Sequence, residues 1–370
     1  DMPKGKRPHL RKDPRDFMAG GIFNIPQNRK FSTGDEAIDA RISDLVDDFG
    51  CATSSSFIKE LVTTALQMGK DSLVEGDLKL YNRALKEMRA SSNVFAPFTE
   101  ERKVSVYGSA RTKPGEPEFE AAKEFARHMK DAGFMTITGA GDGIMGAAQK
   151  GAGRENGFGL NIRLPFEQSA NVTIHGDPKL IDYNYFFTRK LAFVKESDAA
   201  ALFPGGFGTM DEGFEVLTLM QTGKALIYPV VMVDAPGGTY WKTWERFVKD
   251  QLFRLGLISE ADFSLFKITD DIDEAVAEIV TFYRNFHSYR FVKGKMVIRM
   301  NFELSDGFVA GLNEDFKDIL AEGEFETCKA LPQEANEKHL ADMPRLIFSA
   351  ERGRAGRIRE LINRINQVAA

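Results

Sequence analysis

The sequence predicts an α/β protein, a doubly wound parallel sheet with a helical N-terminal module and a small C-terminal α+β appendage. Three observations predict it. From Lys103 to about Asn285, short apolar runs alternate with segments of helical period, the pattern of strands joined by crossover helices. Three of those runs end in glycine-bearing turns. Before and after this region the period changes, to helix alone on one side and to a hairpin followed by mixed elements on the other.

The elements follow in order. Residues 1–34 carry Lys4, Lys6, Arg7, Arg11, Lys12 and Arg15 without the apolar core of a signal peptide, so a solvated basic tail is expected, with a remnant of a targeting segment as the alternative. Residues 35–100 form the helical module. Ile38, Ile42, Leu45, Val46 and Phe49 make one stripe, and Phe57, Ile58, Leu61, Val62, Ala65 and Leu66 a second. Leu78, Tyr81, Ala84, Leu85 and Met88 mark a third helix.

The central region, 101–287, is read as a Rossmann-like nucleotide-binding domain. Strands are expected at Val104–Tyr107, Phe134–Thr138, Gly157–Leu164, Ala199–Phe203 and Ile227–Val233. Helices are expected at Glu118–Lys130, from Gly143 through Lys150, and at Asn184–Lys195, Thr209–Thr222 and Tyr240–Phe253. In residues 288–370 the pair Lys293-Gly294 is a two-residue hairpin turn between Arg290–Val292 and Lys295–Asn301. A helix near Asn313–Leu320, apolar runs near Phe325 and Leu346, and a final helix Ala355–Gln367 complete the appendage.

Composition narrows the function classes. Hydrophobic residues make up 43% of the 370, enough for a sizeable core. The net charge of −5 gives no bulk electrostatic argument for nucleic acid. No apolar run of about 18 residues exists, so no membrane span is expected. Cys51 and Cys328 are too few for a disulfide framework or a zinc site, and a reducing, cytoplasmic setting is expected. The five histidines have no ligand spacing; neither a metal nor any other cofactor is expected.

The chemistry lies in the turns. Gly108-Ser109-Ala110, Gly139-Ala140-Gly141-Asp142-Gly143 and Gly205-Gly206-Phe207-Gly208-Thr209 each follow a strand. Ligands of doubly wound sheets bind outside the carboxyl ends of the strands. There glycines let backbone N–H groups approach an anion, and a helix starting near Thr209 adds unpaired donors. The first turn lacks the G-x-G-x-x-G spacing and no Walker lysine follows any turn, which argues against a nicotinamide dehydrogenase or a P-loop ATPase. Glu212 and Glu215 lie one turn apart on the helix after the third turn, where acidic residues also simply suit the helix dipole. Arg189-Lys190 sits among Tyr185, Phe186, Phe187 and Phe193, and a surface pair is the plain alternative.

These motifs resemble a known family. Pro204-Gly205-Gly206-Phe207-Gly208-Thr209-Met210-Asp211-Glu212 matches the P-G-G-x-G-T-x-x-E motif of the Lonely Guy family of cytokinin-activating phosphoribohydrolases. Arg189-Lys190 matches its preceding R-K pair, and Thr138–Gly146 resembles its G-G-G-x-x-G-L-M-G turn. The likeness covers about Lys103 to Asn285. Some members carry an old "lysine decarboxylase" label, but nothing in the sequence points to pyridoxal phosphate. Two departures are visible: Phe186 stands where a methionine is common, and Ala140 where the turn has its second glycine. In length the chain is more similar to the long bacterial members and the related purine/pyrimidine nucleotide nucleosidases.

The resemblance implies hydrolysis of the N-glycosidic bond of a nucleoside 5′-monophosphate such as AMP or a cytokinin nucleotide, giving free base and ribose 5-phosphate. It implies Arg189 and Glu212 as the catalytic pair and Gly205, Gly206, Gly208 and Thr209 as the phosphate cradle. Gly108, Ser109, Gly141, Met145, Lys190 and Glu215 complete the candidate substrate contacts. A homodimer or higher homo-oligomer is expected as well. The rival reading is a non-catalytic nucleotide or molybdenum-cofactor carrier, which would need no carboxylate beside a sugar. Arg352, Arg354, Arg357, Arg359 and Arg364 crowd the last helix, as a solvated basic face or as an anion-binding regulatory site.

Overall fold

The structure is a computed structural model that describes residues 31–51, 54–165, 169–335 and 337–368. The basic residues singled out between Lys4 and Arg15 lie outside the described residues. The rest divides into two compact units, one ending at Arg89 and the other running from Ala90 onward.

In the N-terminal unit α1 (Glu36–Phe49) packs against α2 (Ser55–Lys70), and α3 (Glu75–Phe95) begins. Asp35 caps α1 by accepting from the amides of Ala37 and Ile38, two of the donors a helix start leaves unpaired. Gly50 closes α1 at a φ of 74°.

The larger unit holds a seven-stranded parallel sheet in the order β4-β3-β2-β1-β5-β6-β7. Its strands are β1 (Lys103–Tyr107), β2 (Met135–Thr138), β3 (Gly157–Ile162), β4 (Leu180–Tyr183), β5 (Ala199–Leu202), β6 (Val230–Val233) and β7 (Lys267–Thr269). The central strands β1, β2, β5 and β6 are buried along their whole length, as sheets covered on both faces require. The crossovers are α4 (Pro117–Asp131), α5 (Ile144–Ala152), α6 (Phe186–Glu196), α7 (Phe207–Gln221), α8 (Tyr240–Phe247) and α9 (Ile272–Phe282). Helix α4 starts with Pro117 at its first position and buries Phe119, Ala122, Phe125, Ala126 and Met129 on one stripe.

Several boundaries differ from expectation. The two end strands, β4 and β7, and helix α9 are additional elements. The helix expected over Tyr240–Phe253 is α-helical only to Phe247 and continues as a π-helical turn over Val248–Phe253. Helix α7 begins two residues earlier than expected, at Phe207 rather than Thr209.

The C-terminal residues form a four-stranded antiparallel sheet in the order β10-β11-β9-β8. The hairpin β8 (Phe286–Val292) and β9 (Lys295–Met300) turns at Lys293-Gly294, both with positive φ, as a type I′ turn demands. Strands β10 (Leu320–Cys328) and β11 (Arg345–Ala350) account for the apolar runs near Phe325 and Leu346. Helix α10 (Asp306–Asp315) lies earlier than expected, capped by Ser305, and α11 (Ala355–Ile365) is the final helix.

The two sheets share one continuous core, in which Phe286, Tyr289, Ile298, Phe348 and Ile362 join the apolar cluster of the parallel sheet. The Asn366 Oδ1 accepts from the amides of Asn285 and Phe286, both at 2.8 Å. The terminal arginines are spent separately rather than as one basic face. Arg357 binds Asp318 and Glu360, Arg359 is buried against Glu278 and over the Phe282 ring, and Arg364 donates to Gln367. Each of these three guanidiniums has its own partner, while Arg352 and Arg354 stand exposed just before the helix. No described helix is long and apolar enough to cross a membrane.

Candidate active site

The strand order reverses between β1 and β5, the switch point at which a doubly wound sheet opens a crevice. The turns leaving these two strands touch. The Ser109 amide donates to the Pro204 carbonyl at 3.1 Å, and the Ser109 carbonyl accepts from the Ile144 amide at 2.9 Å. All three glycine turns therefore meet at one place, with Met145 in the first turn of α5.

The glycines serve different purposes there. A Cβ at Gly108 would fall 2.5 Å from the Ile144 side chain, and one at Gly143, whose φ is +65°, 2.2 Å from the Ser109 carbonyl. A Cβ at Gly205 would meet the Thr209 hydroxyl at 2.1 Å. These three are needed by the protein's own packing. Gly206 and Gly208 are not: a Cβ on either would meet nothing within 4 Å, and neither has positive φ. Helix α7 begins beside them, with the amides of Thr209 and Met210 donating to the Gly206 carbonyl at 3.1 and 3.2 Å. The amides of Phe207 and Gly208, in the first turn, have no acceptor inside the helix. The result is an open, donor-rich helix start, the arrangement that binds phosphate.

The carboxylate and the guanidinium lie one turn deeper. Glu212 follows Thr209 by three residues and is buried. Arg189, from the first turn of α6, brings its Nη2 to 3.7 Å from Glu212 Oε1. Its guanidinium lies over the Phe186 ring at 5.0 Å, and Gly139 packs closely on Met145, where a Cβ would sit 2.8 Å from Sδ. Two buried atoms of this pair, Arg189 Nε and Glu212 Oε2, make no hydrogen bond within the protein. An unmet donor and an unmet acceptor side by side are costly.

Burial raises the Glu212 carboxyl to about 7, against the pull of Lys190 and Arg189 toward ionisation. Burial likewise lowers Arg189, with Glu212 partly restoring it. Lys190 Nζ reaches Glu215 Oε2 at 2.8 Å, Asp211 Oδ2 at 2.9 Å and Glu212 Oε2 at 3.8 Å. Burial works against the charged ammonium, but its bonds to Glu215 and Asp211 win and hold it above the ordinary lysine range.

The structure thus brings together most of the residues singled out in the sequence: Arg189, Lys190, Glu212 and Glu215 in one ion cluster, and Ser109, Gly205 and Thr209 in touching turns. Glu215 is turned toward Lys190 rather than standing free. Gly141 is buried, with its carbonyl taken by the Asn171 amide at 3.0 Å.

Four contributors were not identified from sequence. Asp211 pairs with Lys190 and was visible inside the motif. Asn171 donates to the carbonyls of both Ala140 and Gly141 and so holds the turn in which Ala140 takes a φ of 65°. The Tyr240 hydroxyl donates to the Gly205 carbonyl at 2.5 Å from the start of α8. Tyr107 is buried behind Glu212, and burial and that carboxylate push its phenol well above the usual range. No local signal marks Asn171, Tyr107 or Tyr240. Among the described residues no cluster of His, Cys, Asp and Glu could hold a metal ion.

Comparison with known proteins agrees with the motif. Residues 145–279 match the family described as "possible lysine decarboxylase", the old label of the Lonely Guy family. No curated protein matches the sequence. Among solved structures, the chain is similar to the molybdenum cofactor binding protein of Rippkaea orientalis, at 19% identity over 47% of this chain and 93% of that one, with a TM-score of 0.35. The molybdenum cofactor carrier protein of Chlamydomonas reinhardtii is similar at 19% identity over 48% and 94%, TM-score 0.35. DNA processing protein A of Streptococcus pneumoniae is similar at 11% over 64% and 86%, TM-score 0.32.

The family's descriptive label implies a pyridoxal phosphate lysine, and the residues here do not fit one. Lys190, the lysine of the cluster, is held protonated by carboxylates, whereas Schiff-base chemistry needs a neutral amine.

Proposed function

We propose that the protein hydrolyses the N-glycosidic bond of nucleoside 5′-monophosphates, releasing the free base and ribose 5-phosphate. The observation that carries this reading is the juxtaposition of a buried carboxylate–guanidinium pair, each with an unmet polar atom, and an open helix start whose glycines the protein's own packing does not need.

In this reading the 5′-phosphate lies on the amides of Gly206, Phe207 and Gly208, with the Thr209 hydroxyl beside it. The ribose then falls one helical turn along, at Glu212. Glycosidic cleavage builds positive charge on C1′ and the ring oxygen, which a nearby carboxylate stabilises. Water adds to C1′ as the C1′–N bond breaks with its electron pair leaving on the base; the water's proton passes to Glu212 and then on to the departing base, which restores the carboxylate. Arg189 holds a phosphate or ribose oxygen through the donor it leaves unpaired. Lys190 favours the ionised form of Glu212, and ionised Glu212 is the competent form. The enzyme is taken to be a cytoplasmic homo-oligomer on the resemblance and the dispersed cysteines.

Incubation with AMP, CMP, GMP and isopentenyl-AMP, followed by chromatography of the bases, tests this. Free base should appear from at least one nucleotide. Glu212→Gln should still bind that nucleotide but release base at least about 100-fold more slowly, as for loss of a key electrostatic group. Tight binding by the unaltered protein with no base released from any of the four would leave a carrier instead.

A further inference from the structure

Helix α3 buries Ala84, Glu87, Ser91 and Phe95 and leaves its larger apolar residues outside. Leu78 is 38% exposed, Tyr81 45% and Leu85 48%, and Met88 is half-buried. Their spacing of three, four and three residues is that of the a and d positions of a heptad, with Leu78 and Leu85 at a and Tyr81 and Met88 at d. A free-standing helix keeps such a seam in water at a cost proportional to its apolar area. Packed helices place such a seam against another helix.

The charges beside the seam select the partner. One flank is the helix's buried side. The other carries the e positions Glu75, Asn82 and Arg89, acidic at the start and basic at the end. Among the described residues Glu75 pairs with its exposed neighbour Lys79, at 2.8 Å. We propose that α3 pairs antiparallel with α3 of a second copy of this chain, across a two-fold axis near Arg83. Antiparallel coiled coils layer a against d positions. That register sets Leu78 on the partner's Met88 and Tyr81 on the partner's Leu85, and by symmetry the reverse. The same register sets Glu75 against the partner's Arg89, twice. Parallel pairing would bring no opposite charges together at these positions. The surface lies in the helical module, so it does not depend on the activity proposed for the sheet.

Sedimentation equilibrium of the full chain over a dilution series reads the result. Leu78→Glu with Leu85→Glu should halve the number of chains per particle, with helical circular dichroism unchanged. The same number of chains at every concentration would overturn the proposal. Charge reversal guards against misfolding of that variant. Glu75→Arg alone sets like charges together twice and should weaken association roughly tenfold; adding Arg89→Glu should restore it. Equal association of the single and double charge variants would overturn the pairing and leave the seam to the apolar stripe of α2 (Phe57, Leu61, Leu66) in the same chain.

Discussion

Glu212 carries a tension between activity and stability. Its carboxyl is ordinarily half-ionised at 4.5 and here at about 7. The folded state therefore holds a proton that the unfolded chain releases between these values, and stability falls as pH rises from about 4.5 through 7. Glutamine mimics the protonated form. Glu212→Gln should leave stability nearly unchanged at pH 4.5 but raise it at pH 8 by on the order of 3 kcal/mol, the free energy of a shift from 4.5 to about 7 in which the pull of Arg189 and Lys190 is already included. Thermal melts of both proteins at pH 4.5, 6 and 8 measure this. A difference that does not grow with pH would mean that Glu212 titrates as an ordinary surface carboxylate. The same variant is the one expected to lose base release, so the charge that destabilises the fold is the one the proposed reaction requires.

At the scale of the element, the loop proposed to hold phosphate joins one amide-rich helix start to one external anchor. A peptide's C=O and N–H point in opposite directions. The Tyr240 hydroxyl on the Gly205 carbonyl therefore turns the Gly206 amide the other way. Adenosine, lacking the phosphate, should have kcat/KM at least about 100-fold below that of AMP, since several charge-assisted bonds are lost. Tyr240→Phe should raise KM for AMP several-fold with little change in kcat, and should narrow that ratio. Steady-state kinetics on both substrates decide it: equal kcat/KM for AMP and adenosine would show that the loop does not read phosphate.

The elements also show what the sequence made legible. The loop, the Arg-Lys pair and Glu212 were visible because glycine turns at strand ends and a fixed motif are local signals. The strands β4 and β7 were not. Leu180–Tyr183 is a four-residue edge strand, with Asp182 facing outward to bind Asn161 and Arg163. Lys267–Thr269 has three residues. Neither is long enough for a period. Helix α10 was misplaced because Ser305, its cap, precedes a Gly- and Asp-containing first turn that reads as loop. Tyr240 and Asn171 reach the site from about 30 residues away in sequence, through tertiary contact alone.

In the whole molecule, the C-terminal sheet is a structural part of the unit built on the parallel sheet rather than an attachment. The Tyr289 hydroxyl accepts from the Ile227 amide at 3.2 Å, and Arg359 and Asn366 tie α11 back to α9 and β8. Removing residues 288–370 should leave a chain that aggregates or melts well below the full protein, since the shared core opens along one side. Differential scanning calorimetry and light scattering of the truncated chain check this. A soluble fragment with an unchanged melting temperature would show that the sheets are independent.

The strand orders also bear on synthesis. In the seven-stranded sheet, β2, β3 and β4 are added outward from β1 on one side and β5, β6 and β7 on the other. Each new strand finds a neighbour already made as the chain emerges from the ribosome. The four-stranded sheet is different. Its last strand, β11, lies between β9 and β10, so β10 waits unpaired, and β9 with one edge open beside β8, until Ala350 has been made. The parallel sheet can thus be complete before the antiparallel one, which waits for β11, with α11 following it.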